Sequence, residues 1–140
     1  MKIKKIDHIG IAVKNLEESL KTWKDLFGAK VGMIEKIEER GIKVAHLEFE
    51  EGPTVELVAS LGKDSPVEKY IEKRGEGIHH FSLLVEEIEK VMEELKDKGV
   101  QFIQERPQKG AEGSLIAFIH PSHLKGVLLE LKEKGEGGSG

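Results

Sequence analysis

An α+β fold of two tandem βαβββ modules is expected for this chain, and three observations predict it. The stretch Asp7-His8-Ile9-Gly10-Ile11-Ala12-Val13 recurs 72 residues on as His79-His80-Phe81-Ser82-Leu83-Leu84-Val85, and such a repeat decides the architecture before any local propensity does. The apolar stripe that follows repeats at the same offset, Leu16 with Ile88, Leu20 with Met92 and Trp23 with Leu95. The closing strands also correspond, Val55-Glu56-Leu57 with Leu129-Glu130-Leu131.

Each element has its own local signal. Residues 3–13 alternate as a strand, with Ile9, Ile11 and Val13 on one face and His8, Gly10 and Ala12 on the other. Small neighbours beside His8 leave room for a ligand. Asn15 and Glu18 form a capping signal, Leu16, Leu20, Trp23, Leu26 and Phe27 give the stripe of a helix, and Gly28 ends it. Strands are expected at 30–37, 42–49 and 54–59, with turns at 38–41 and 50–53. In the linker, Ser65-Pro66-Val67-Glu68 has Ser at the N-cap, Pro at N1 and Glu at N3, so a short helix runs to about Arg74. The second module then follows: a strand at 79–85, a helix at 87–98, strands at 100–105, 114–119 and 127–132, a loop at 106–113 and a turn at 121–126. Residues 1–134 are read as one domain, with module one at 3–60, the linker helix at 61–76 and module two at 77–132. Residues 135–140, a Gly/Ser-rich run, are expected to be a disordered tail.

Composition narrows the function. The chain has 140 residues, 34% of them charged and 38% apolar, which is a soluble globular mixture. Halves of roughly 70 residues are marginal alone and are expected to pack together. The absence of cysteine excludes a disulfide framework, a thiolate zinc site and a cysteine nucleophile. A net charge of -4 argues against broad nucleic-acid binding. There is no membrane-spanning run and no signal-peptide core, so a cytoplasmic location is expected.

The chemistry rests on His and Glu. Taken alone, Glu56 or Glu130 between apolar neighbours reads as a carboxylate on the outer, solvated face of a strand. The recurrence of His on the first strand and Glu on the last in both halves argues instead for buried carboxylates, which need a cation or hydrogen bonds. His8, Glu56, His80 and Glu130 form a plausible set for a divalent first-row metal, Co, Mn, Ni or Zn, with positions left for water or substrate. The other histidines read as structural. His79 alternates away from His80 and is expected to pack or hydrogen-bond. His46, in mid-strand, is expected in the core or cleft rather than as a ligand. His120 and His123 flank Pro121 in a turn and are expected in a solvated loop. The acidic turn Glu38-Glu39-Arg40-Gly41 reads as solvated charge.

These residues resemble the vicinal oxygen chelate superfamily, whose paired βαβββ modules form a curved mixed sheet around a metal-binding cleft. Within it the chain is similar to the methylmalonyl-CoA epimerases. The resemblance is carried by Asp7-His8-Ile9-Gly10-Ile11-Ala12-Val13, the turn Glu39-x-Gly41-Ile42, and Glu56-Leu57. It continues through Leu61-Gly62-Lys63-Asp64-Ser65-Pro66, Gly77-Ile78-His79-His80, Lys109-Gly110-Ala111-x-Gly113, His120-Pro121 and Gly126-Val127-Leu128-Leu129-Glu130-Leu131. It implies His8, Glu56, His80 and Glu130 as ligands of a divalent metal, Glu39 as an acid/base, and Glu130 as a second acid/base as well as a ligand. Some family members have Gln in place of Glu56, so the charge at the metal differs here. The implied reaction interconverts the (2R) and (2S) forms of methylmalonyl-CoA through a metal-stabilised enolate, on an acyl-CoA substrate, in a homodimer. The same scaffold also fits a glyoxalase-like isomerase, an extradiol-type dioxygenase or a metal-free ligand-binding module.

Overall fold

A computed structural model describes residues 1–62 and 64–135. Eight strands and three helices follow in chain order: β1 (Ile3–Ala12), α1 (Leu16–Phe27), β2 (Lys30–Ile37), β3 (Ile42–Glu48), β4 (Thr54–Ser60), α2 (Pro66–Arg74), β5 (Gly77–Val85), α3 (Ile88–Asp97), β6 (Gln108–Lys109), β7 (Leu115–Ile119) and β8 (Leu129–Glu133). The chain divides into two compact units, His8–His79 and Met1–Asp7 with the residues from His80 onward. The division falls within β1, whose opening residues belong with the second half.

In the first unit the strands lie in the order β2, β3, β4, β1. β1 is parallel to β4, while β3 is antiparallel to both its neighbours. Side chains alternate across this sheet. One face carries Val13, Ala45, Leu47, Val55, Leu57 and Ala59 onto Leu16, Leu20 and Trp23 of α1. Leu47 and Leu57 are fully buried there, and truncating either to Ala would cost about 2–5 kcal/mol. The opposite face carries His8, Gly10 and Ala12 of β1, and the register places Glu56 beside Gly10 and His46 beside Glu56.

Helix α1 starts and ends as its sequence dictates. The Asn15 side chain accepts the Glu18 N–H at 2.9 Å, and Gly28 closes the helix in the left-handed region at φ 63°. The apolar stripe, however, is longer than the core it covers. Leu26 and Phe27 are each 68% exposed, and the Phe27 ring meets Trp23 at a tilt, centroids 5.5 Å apart. Helix α2 is capped as expected, with Ser65 Oγ accepting the Glu68 N–H at 3.0 Å.

The second unit repeats the plan with strands in the order β5, β8, β7, β6. Its core joins Val85, Ala117, Ile119 and Leu131 to Ile88, Val91 and Met92 of α3. Glu133 accepts the Ile88 N–H at 2.9 Å, which places a carboxylate at the N-terminus of α3 where the helix dipole favours it.

The strand expected at 100–105 does not form. That segment keeps one bridge, Phe102 to Ile119, and two flanking bonds, Ile103 N–H to Phe118 O and His120 N–H to Gln101 O. The ladder stops because the Gln104 side chain, not the backbone, takes the Phe118 N–H at 3.0 Å, and Pro107 has no N–H to offer. The edge position passes to β6, two residues inside the stretch expected to be loop, which pairs with Leu115 and Ile116. Of the tail expected at 135–140, residues 136–140 lie outside the described residues.

Candidate metal centre and acid/base site

Each unit buries an imidazole of its first strand against a carboxylate of its last. In the first, His8 comes from β1 and Glu56 from β4, and the parallel register puts both on the face turned away from α1. His8 Nδ1 lies 3.1 Å from Glu56 Oε2, and the residues are 2% and 5% exposed. In the second, His80 of β5 and Glu130 of β8 make the same pair, Nε2 to Oε2 3.1 Å, at 5% and 4% exposure. The solvated placement that either Glu suggests when read alone is therefore wrong for both. The strands are covered on two faces, so apolar alternation no longer marks an outward residue.

The donor chemistry fits a divalent metal. First-row cations bind imidazole nitrogen and carboxylate oxygen at about 2.0–2.2 Å, so adjacent ligands at right angles stand about 3 Å apart. Both pairs have that spacing. The protein thus holds buried His/Glu groups of the type that bind such a metal.

The remaining candidates are distributed as follows. His46 is buried and its Nδ1 lies 3.6 Å from Glu56 Oε2. It lies in the interior, as expected, but nothing in the sequence signals that it would share a carboxylate with His8; only the β3–β4 register reveals it. His79 faces away from His80 and packs edge-on against Tyr70 at 4.8 Å. His120 and His123 are exposed. His120 Nδ1 meets Ser122 Oγ at 2.8 Å, and His123 Nε2 accepts the Gln101 N–H at 2.8 Å. Glu39 is exposed on a 3₁₀ turn, Glu38–Arg40, that Gly41 closes at φ 65°. Gly41 O accepts the Leu61 N–H at 2.9 Å, which ties the turn to the end of β4.

Missed by sequence reasoning was a buried ion pair, Lys132 Nζ to Asp7 Oδ2 at 2.9 Å. Lys132 shares the face of Glu130 two residues earlier. An alternating strand hides this signal, because a terminal Lys in a Glu/Lys-rich segment reads as surface charge.

Comparison with known proteins fixes the family. A family model described as Glyoxalase/Bleomycin resistance protein/Dioxygenase superfamily matches residues 7–118. The mitochondrial methylmalonyl-CoA epimerase of Dictyostelium discoideum is 36% identical over 94% of this chain and 80% of its own length. The chain belongs to this superfamily and, within it, to the methylmalonyl-CoA epimerase family. The ethylmalonyl-CoA/methylmalonyl-CoA epimerase of Cereibacter sphaeroides is 32% identical over 94% of this chain and 98% of its own. Among solved structures, a point variant of the Streptomyces coelicolor methylmalonyl-CoA epimerase in complex with 2-nitronate-propionyl-CoA superposes with a TM-score of 0.91. That likeness is at 32% identity and covers 95% of this chain and 99% of the other. The tandem βαβββ fold of this family is therefore the fold of this protein.

No helix among the described residues is long and apolar enough to cross a membrane.

Proposed function

We propose that this protein epimerises methylmalonyl-CoA by removing the proton between the thioester and the carboxylate and returning one from the other face. The observation that carries the reading is the pair of buried His–Glu sets, one per half, in a chain that matches epimerases across nearly its whole length. His8, Glu56, His80 and Glu130 would hold one divalent cation, Co, Mn, Ni or Zn. Such a cation supplies Lewis-acid stabilisation of the negative charge that builds on the substrate oxygens.

The chain's own groups move the protons. Glu39, exposed on its turn and free to meet a bound acyl-CoA, is assigned as one acid/base. Glu130 is assigned as the second, in addition to its place among the ligands. Glu56 and Glu130 are held on strands whose other faces are packed against helices, so their carboxylates are fixed before substrate arrives. Preorganisation of that kind removes the cost of reorienting charged groups during the reaction.

Deuterium uptake from heavy water into methylmalonyl-CoA, with and without a chelator, tests the reading. Uptake that chelation abolishes and added metal restores is expected. A protein that binds metal but exchanges no deuterium would refute it and leave a glyoxalase-like isomerase or a dioxygenase of the same fold. We further assign a cytoplasmic homodimer; light scattering at the size of one chain would refute the dimer.

A further inference from the structure

Ser82 is a buried hydroxyl that the reading above does not use. It lies on β5 in register with Glu130 of β8, two residues after His80 and on the same face. It is 0% exposed, and its Oγ has no hydrogen-bond partner among the described residues. In particular, the Glu130 carboxylate, one strand away, does not take its proton. Glu130 Oε2 is engaged with His80 Nε2, and the His80 ring meets the edge of Phe118 at 5.7 Å.

A buried hydroxyl left in this state lowers stability relative to a methyl group of similar size. The other half shows that the fold does not require it, because the equivalent position in register with Glu56 is Gly10. A residue that costs stability and is not needed for packing points to an acceptor that arrives later. A donor here would also offset a specific problem. The malonyl end of methylmalonyl-CoA brings carboxylate and thioester oxygens towards Glu130, and two negative groups at close range repel.

We infer that the Ser82 hydroxyl donates a hydrogen bond to an oxygen of the malonyl end of the bound acyl-CoA, which makes it a substrate-binding residue beside Glu130. This inference rests on the epimerase reading.

The test compares the metal-loaded parent with S82A and S82C in four measurements: kcat and KM for methylmalonyl-CoA, affinity for 2-nitronate-propionyl-CoA, metal affinity by chelator competition, and thermal midpoint of the metal-free protein. In S82A, kcat/KM and analogue affinity are each expected to fall by about tenfold, the loss of one hydrogen bond to a charged acceptor. Metal affinity is expected to stay unchanged and the thermal midpoint to stay level or rise. S82C, a weaker donor of similar volume, is expected between S82A and the parent. Kinetics and analogue binding in S82A equal to an active parent would overturn the assignment and leave the epimerase reading standing. Loss of metal together with a lowered midpoint in S82A would also overturn it, by showing the hydroxyl to be structural. A parent that neither exchanges deuterium nor binds the analogue would overturn both readings at once.

Discussion

The two halves of this protein share a plan but differ at the positions around each His–Glu pair. In the first half Glu56 has Gly10 on one side and His46 on the other. In the second, Glu130 has Ser82 and Phe118 in those places. Further along the same strands Val58 sits beside Ala12, whereas Lys132 sits beside Leu84. The turn before β3 presents exposed Glu39, while the turn before β7 begins with buried Ala111. The duplicated elements that stayed alike are those that build sheet, helix and His–Glu pair. The ones that diverged flank the His–Glu pairs, so the halves have equivalent frames and unequal surroundings at those pairs.

That asymmetry can be tested at several points. The largest effect is expected from Glu39→Gln, which removes the group assigned above as one acid/base, on a turn whose counterpart in the second half begins with Ala111. Turnover should fall by about 10²–10⁴-fold with metal content and fold intact, as followed by deuterium exchange; normal turnover would remove Glu39 from the chemistry.

Next is Lys132→Met. It removes the ammonium 2.9 Å from the half-buried Asp7 carboxylate, which should cost up to about 3–5 kcal/mol of unfolding free energy in a denaturant titration. Changing Asp7 to Leu as well should recover most of that loss, because the carboxylate that lost its ammonium is then gone.

Third, His8→Ala and His80→Ala should each weaken metal binding by more than about 100-fold, since a lost ligand exceeds a lost outer partner. Similar losses from the two variants would support equal roles for the halves. Full metal occupancy in either would break the ligand set.

A smaller effect is expected from His46→Phe, which gives the first half the aromatic neighbour of the second. Metal affinity should fall by about tenfold, because Glu56 loses the imidazole 3.6 Å away; an unchanged dissociation constant would make His46 a packing residue only.

The smallest concerns a surface pair. Lys43 Nζ lies 3.0 Å from Glu17 Oε1, and this hydrogen bond holds the Glu17 carboxyl below its ordinary range. A lowered folded-state value means the contribution is present at neutral pH and is lost as pH falls through that value. Glu17 is solvated, so Lys43→Met should leave the thermal midpoint at neutral pH unchanged within error.

How much of this was readable in advance varies with the range of the interaction. The caps of α1 and α2 were legible because an Asn or Ser side chain reaches only three residues along the chain. The four ligand candidates were legible because the sequence states the same arrangement twice. Leu26 and Phe27 looked like core, but periodicity shows the direction of a side chain and not whether a sheet extends beneath it. Residues 100–105 read as a strand because Val100, Phe102 and Ile103 are β-prone apolar residues. Its pairing fails through a side-chain acceptor, Gln104, that competes with the backbone.

By itself, then, the sequence determined the repeat, the order of elements, the helix termini and the identity of the His–Glu pairs, all of which depend on near neighbours or on self-similarity. Only the tertiary structure decided that His46 stands beside Glu56, that Lys132 answers Asp7 and that Ser82 lies next to Glu130. Those facts depend on strand register or on side-chain contacts across the fold, such as the Lys132–Asp7 pair 125 positions apart. Local propensity carries no information over that separation.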